Sequence, residues 1–310
     1  MVIGHQKILQ FFKQSVENKR LSHAYLFTGP AHLGKKTVAL EFIRMLIGQE
    51  INHAAQPDIL IVEPEVVEKD GIKKELEISI DWTRKIQHQM SLFPYSAPFK
   101  IALIDRAEKM TVEAGNCLLK TLEEPSGQAI LILITTNPQL ILPTIVSRCQ
   151  TVKFLPVAGE EIEKVLLNRN QGQPLNLKQI IRFANGRPGL VIRYLENPEL
   201  LKHQNEVIGQ LEELLKGNIN DRYVYVEKMA KDISQTQQIL NYWLCWFRDL
   251  LLMTVGCSDL AVCSELGRYQ GVYSLAKLLK IIQTIKKTSR LLSNSSINAR
   301  LALEVLMLEF

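Results

Sequence analysis

Apolar positions in about the first 155 residues alternate between short unbroken runs and helical spacings. Ile8, Leu9, Phe12 and Val16 recur three to four residues apart, which predicts an amphipathic first helix. Residues 24–27 read as a buried strand, broken by Thr28-Gly29-Pro30, and a second helix is predicted over about residues 36–47. Residues 59–62 form a further strand, and Lys69-Asp70-Gly71 carries the turn chemistry of a hairpin tip. Asp81 is the expected N-cap of a helix running to about Met90. Residues 101–104 and 130–134 are continuous β-rich runs, as strands covered on both faces should be. Between them residues 111–122 read as a helix, with Lys120 and Glu124 spaced to pair. A last strand over 151–154 ends at Leu155-Pro156. The alternation predicts a parallel α/β sheet domain over residues 1–156.

Beyond Val157 the strand signals fade. Residues 160–167 and 177–184 read as helices closed by Asn185-Gly186, which gives a small helical domain over 157–198. The remainder, 199–310, is helical throughout, with polar breaks at Gly217-Asn218 and at residues 293–296. Trp243, Trp246 and Phe247 recur at helical spacing among leucines, and we expect core or subunit contact from them rather than base stacking. Lys277, Lys280, Lys286, Lys287 and Arg290 make the last helical region basic beside an apolar stripe of Leu275, Leu278, Leu279, Ile282 and Ile285. A solvated face is the ordinary reading of those cations, and a DNA backbone the alternative.

Composition narrows the class. The chain has 310 residues, 46% hydrophobic and 22% charged, which is ample for packed cores. Lys and Arg number 37 against 32 acids, a mild +5 that permits phosphate contact without establishing it. The longest apolar run, residues 129–134, is far below the roughly 18–20 residues of a membrane helix, so no membrane partner is expected. His5, Gln6, Lys7 and Lys13 interrupt the first fourteen residues, so no leader is expected either. The five cysteines form no C-x-x-C pair and the six histidines are scattered, which suits a reduced cytoplasmic protein without zinc.

Gly29-Pro30-Ala31-His32-Leu33-Gly34-Lys35 follows a predicted strand and opens a helix. Glycines there let backbone N–H groups wrap a phosphate chain, and Lys35 would reach its terminal phosphates. The bland alternative is a glycine-bearing strand-to-helix turn. The position after the lysine should carry a hydroxyl for Mg²⁺, but here it is Lys36; Thr37 lies one residue on, about 100° further round the helix. Asp105, at the end of the 101–104 strand, is placed to orient Mg²⁺ through water. The next residue, where an ATPase usually carries a glutamate base, is Arg106, which stays protonated. Glu108 is expected to point away.

These residues, with Arg20-Leu21-Ser22-His23-Ala24-Tyr25-Leu26-Phe27, the helix around Leu118-Leu119-Lys120-Thr121-Leu122-Glu123-Glu124-Pro125, Thr135-Thr136-Asn137 and Ser147-Arg148-Cys149, give a chain that resembles AAA+ clamp-loader subunits. Among these it is similar to the delta prime subunits of the bacterial DNA polymerase III holoenzyme. The resemblance implies an AAA+ P-loop NTPase-like α/β domain, a small helical lid and an all-α collar that oligomerises, a role it extends to the apolar stripe. It implies a weak or vestigial nucleotide site at Gly29, Gly34, Lys35, Thr37, Asp105 and Asn137, with ATP weak or absent and Mg²⁺ only with nucleotide. It assigns Arg148 as an arginine finger acting in trans on a neighbouring subunit's ATP. It implies motor subunits, a delta subunit and the sliding clamp as partners, and primer-template DNA through the assembly. The resemblance also has departures. Residues 48–56 contain no cysteine, so the zinc module of motor subunits is not expected. Gly189 stands where active relatives carry a second sensor arginine, which with Lys36 and Arg106 points to a non-hydrolysing member. The alternative is a catalytically active AAA+ ATPase, a loader motor or a helicase motor.

Overall fold

Strand residues alternate sides, and in this chain both sides are apolar. In β1 (Ala24–Thr28), Ala24 and Leu26 face one way while Tyr25 and Phe27 face the other, all fully buried. The same two-sided burial holds for β5 (Lys100–Ile104) and β6 (Ala129–Thr135), the central strands predicted from their unbroken apolar runs. With β2 (Ile59–Val62) and β7 (Gln150–Lys153) they form a five-stranded sheet of order β2-β5-β6-β1-β7, parallel throughout. β3 (Val66–Lys69) and β4 (Ile72–Glu75) form a separate antiparallel pair.

The computed structural model describes residues 2–48, 56–69, 72–125, 128–168, 177–258, 266, 269, 271–292 and 297–310. The hairpin tip expected at Asp70-Gly71, the polar break at 293–296, Cys263 and the stretch 49–55 lie outside them. Two compact units emerge, Met1–Ile192 and Arg193–Phe310. The sequence boundary at residue 156 lies inside the first unit, which also contains helices α6 (Gly159–Leu167) and α7 (Leu177–Ala184). The chain enters the second unit within α8 (Pro188–Glu196), upstream of the break expected after 198.

In the first unit, α1 (Gln6–Glu17) and α2 (Lys35–Ile47) cover one sheet face. Phe12 and Phe42 stack with centroids 4.0 Å apart, over Tyr25 and Phe27. On the other face α3 (Ile80–Ser91) and α4 (Val112–Glu123) bring Ile86, Met90, Leu118 and Leu122 onto Leu26, Ala102 and Leu131. Burying four such side chains removes them from water at about 1.5–3 kcal/mol each. α5 (Pro143–Val146) is a single turn before β7. Asp58 and Lys100 are both buried and 2.8 Å apart, and the Asp58 carboxylate also accepts the backbone N–H groups of Tyr95, Ser96 and Ala97. Burial alone would raise its pKa; the Lys100 ammonium and those three donors hold it well below the usual carboxylate range.

Two local expectations need correction. Ser79, in extended backbone, is the N-cap of α3, and Asp81 lies in its first turn, 3.7 Å from Arg84, where a negative charge still meets the helix dipole favourably. Lys120 does not pair with Glu124: the latter is the C-cap of α4, out of helical geometry, so the i,i+4 spacing no longer brings the two together. The helix starts as predicted on Thr111, whose Oγ1 accepts the Ala114 N–H at 3.2 Å.

The second unit is helical among its described residues: α9 (Glu199–Lys216), α10 (Ile219–Met229), α11 (Ile233–Thr254), α12 (Leu275–Leu291) and α13 (Ala299–Met307). Trp243, Trp246 and Phe247 are fully buried in its core, which removes them as a base-stacking row. The stripe assigned to oligomerisation is also corrected. Leu278, Ile282 and Ile285 pack into the unit's own core beside Ile281, and only Leu275 and Leu279 stay exposed. An apolar stripe on a helix does not reveal whether its partner is another chain or the next helix of its own.

Candidate functional site

The C-terminal edge of a parallel sheet gathers the loops that follow each strand, and here it gathers most of the expected nucleotide residues. Gly29 follows β1 with φ +143°, and a Cβ there would stand 2.5 Å from the Phe154 carbonyl oxygen. Gly34 takes φ +87° as the N-cap of α2, a left-handed turn that glycine enters without strain. Backbone geometry therefore accounts for both glycines without a ligand.

Lys35 is buried, and its Nζ donates to the loop's own carbonyls, Gly29 O at 2.6 Å and Pro30 O at 2.7 Å. Burial pushes its pKa down to about 8 against the opposing charges of Glu108 and Asp105. The loop is tied from outside as well. His5, at φ +60°, places Nε2 2.9 Å from Leu33 O, as the donor of a neutral imidazole whose pKa burial lowers. Gly189, in the first turn of α8, donates its N–H to His32 O at 2.9 Å. A Cβ on Gly189 would lie 3.0 Å from that same oxygen.

The acidic side of the site is held by ion pairs. Lys36 contacts the carboxylate of Glu63, directly after β2, and Arg106 contacts that of Glu75 at the end of β4. Asp105 accepts the Arg106 N–H at 2.9 Å; burial raises its pKa, with the Lys36 charge opposing. Glu108 does not point away. Its Oε1 accepts Thr136 Oγ1 at 2.6 Å and Thr136 N–H at 3.2 Å, while the buried Oε2 has no hydrogen-bond partner. Thr37 is exposed on α2. Asn137 follows β6, and its Oδ1 accepts the Gln139 N–H at 3.3 Å, capping the turn at residues 138–140.

This arrangement fits a metal–nucleotide complex poorly. Phosphate recognition needs converging N–H donors and a free ammonium, whereas Lys35 is engaged by carbonyl oxygens and no hydroxyl stands at position 36. No group of three or more His, Cys, Asp or Glu suited to a metal ion occurs among the described residues. None of their helices is long and apolar enough to cross a membrane.

Arg148 lies between α5 and β7, exposed. Its Nη2 is 2.8 Å from Glu123 Oε1 at the end of α4, and its Nη1 donates to Thr144 O at 3.0 Å. Burial pushes the neighbouring Cys149 thiol up to about 12, which disfavours the thiolate.

Nothing in the sequence pattern points to His5, Glu63, Glu75, Glu123 or the Gly189–His32 bond as partners of the site. Glu63 follows from the topology: β2 pairs with β5, and the Asp105 N–H bonds to Val62 O, so the residue after β2 flanks Asp105. That inference needs the strand order.

Residues 4–158 match the family described as DNA polymerase III, delta subunit. The chain is 27% identical to the DNA polymerase III subunit delta' of Bacillus subtilis strain 168, over 98% of this chain and 95% of that protein. It is also 27% identical to the subunit delta' of Pseudomonas aeruginosa PAO1, over 93% and 92%. Among solved structures, a DNA polymerase III gamma subunit-related protein of Thermotoga maritima aligns over 97% of each chain at 20% identity, with a TM-score of 0.47.

Proposed function

The chain belongs to the family described as DNA polymerase III, delta subunit, and from that premise we propose that it serves in the clamp loader as a non-hydrolysing stator. It would sit in a ring with motor subunits and a delta subunit, help hold the sliding clamp open for primer-template DNA, and lend Arg148 to a neighbour's ATP. The observation that carries the reading is the contrast between the two basic side chains. Lys35 is buried against its own loop, while Arg148 is exposed and bound to a single carboxylate and one carbonyl.

An exposed Arg–Glu pair contributes about 0–1 kcal/mol, whereas a phosphate oxygen offers the guanidinium a stronger, bidentate partner. Exchange of Glu123 for a neighbour's terminal phosphate therefore costs little. There the guanidinium would stabilise the charge on the transferring phosphoryl group, an effect of about 10³–10⁵ in rate at the site concerned.

The free oxygen of Glu108 near Lys35 favours the alternative of an active ATPase, since a carboxylate is what Arg106 cannot supply. DNA-stimulated ATP turnover of a loader reconstituted with motor subunits and clamp separates the two. Arg148→Ala should sharply lower turnover and Lys35→Ala should leave it near that of the unmodified chain. Comparable losses would overturn the stator reading.

A further inference from the structure

The cations of α12 divide into two groups. Lys277 and Lys280, near its start, both reach the carboxylate of Glu309, at 3.6 and 3.0 Å. Lys286, Lys287 and Arg290, on its last two turns, are exposed and have no acidic partner among the described residues. The chain carries no Asp or Glu anywhere from Leu266 to Leu303, so no acid nearby in sequence offsets these three cations.

These three side chains line a groove of about 560 Å³ with Gln283, Leu291 and Ile297. Lys286 and Arg290, one turn apart, also border a smaller groove of about 200 Å³ that adds Asn241 and Ser289. No carboxylate lines either groove. Stabilisation of the helix dipole accounts for Arg290, which lies in the last turn; it does not account for Lys286 and Lys287. An acidic protein segment would be expected to find a buried aromatic anchor, and neither groove has an aromatic lining residue. What the surface offers is clustered cations and amide or hydroxyl donors, the chemistry that holds a phosphate backbone without reading sequence.

We propose that the Lys286–Lys287–Arg290 groove of the second unit binds the phosphate backbone of nucleic acid directly. Neutralised phosphates release counterions, so each cation in contact adds about 0.7 (single strand) to 0.9 (duplex) to the slope of log affinity against log salt. The full chain would be titrated against a fluorescent oligonucleotide of about 30 nucleotides, single-stranded and duplex in separate arms, between about 50 and 200 mM salt. Lys286→Ala/Lys287→Ala/Arg290→Ala should reduce the slope by about 2–3 and weaken binding about tenfold or more at the low-salt end. Each single alanine variant should take about one third of that slope. Lys277→Ala/Lys280→Ala, which removes cations already paired to Glu309, should leave the slope unchanged. The arm with the larger loss identifies the form of nucleic acid bound. An unchanged slope in the triple variant, with its thermal unfolding intact, would overturn the proposal. So would binding of a poly-glutamate peptide that depends on these cations while neither oligonucleotide binds.

Discussion

The guanidinium of Arg148 is held 2.8 Å from the carboxylate of Glu123, which closes α4 twenty-five positions earlier in the chain. Both side chains are well exposed, at 37% and 50%. Their pairing orients the arginine without locking it.

Removal of the carboxylate should therefore be mild where removal of the arginine is severe. Glu123→Ala is expected to change the unfolding free energy by less than about 1 kcal/mol and to keep loader turnover within about fivefold of the unmodified chain. Arg148→Lys should recover little, because an ammonium lacks the planar fork of the guanidinium. Turnover of the reconstituted loader checks both; a large loss in Glu123→Ala would mean that the carboxylate acts in the chemistry.

Lys35 predicts a pH dependence of stability. Its folded-state pKa, about 8, lies below the ordinary 10.5, so the buried charge destabilises the native state in full below pH 8. Between pH 8 and 10.5 the unfolded chain holds more protons than the folded one, and stability rises with pH, by up to roughly 3 kcal/mol from this residue. Lys35→Met should lack that rise. Urea midpoints of the two proteins from pH 7 to 10 test it: parallel curves would show that Lys35 is not the source.

Asp58 gives the opposite sign. Its folded pKa is depressed, so its contribution is complete above the ordinary carboxylate pKa near 4 and is lost as the pH falls below it. Asp58→Asn leaves the Lys100 ammonium buried without its counter-charge and should destabilise the chain by about 3–5 kcal/mol at pH 7. Thermal unfolding at pH 7 and at pH 3 checks this, and the gap between variant and parent should narrow in acid.

Gly189→Arg places an arginine where the resemblance expects a second sensor, and under the proposed stator role it should not confer hydrolysis. A Cβ at this position meets His32 O at 3.0 Å, so α8 or the phosphate loop must shift, at about 1–3 kcal/mol. The variant should melt lower and show no ATP turnover on its own. Measurable turnover by the isolated variant would count against the stator reading.

Patterns spanning a few residues were readable from the chain alone. The two-sided strands, the amphipathic α1, the glycine-bearing loop with Lys36 in place of a hydroxyl, Arg106 in place of a base, and the core aromatics of α11 all follow from local spacing and side-chain chemistry. Relationships that depend on which strand lies beside which did not. Glu63 reaches Lys36 because β2 pairs with β5, and Glu75 reaches Arg106 from the separate β3–β4 pair. Glu108 turns onto Thr136 because β5 and β6 end side by side. Gly189 closes on His32, although 157 positions separate them. The stripe on α12 misled for a related reason: the helices next to it in the chain, α11 and α13, pack on it, and the spacing within α12 does not show that. Hydrophobic period and loop chemistry are properties of neighbours in sequence; the partner of a charge, or of an apolar face, is chosen by the packing of elements the chain brings together only when it folds.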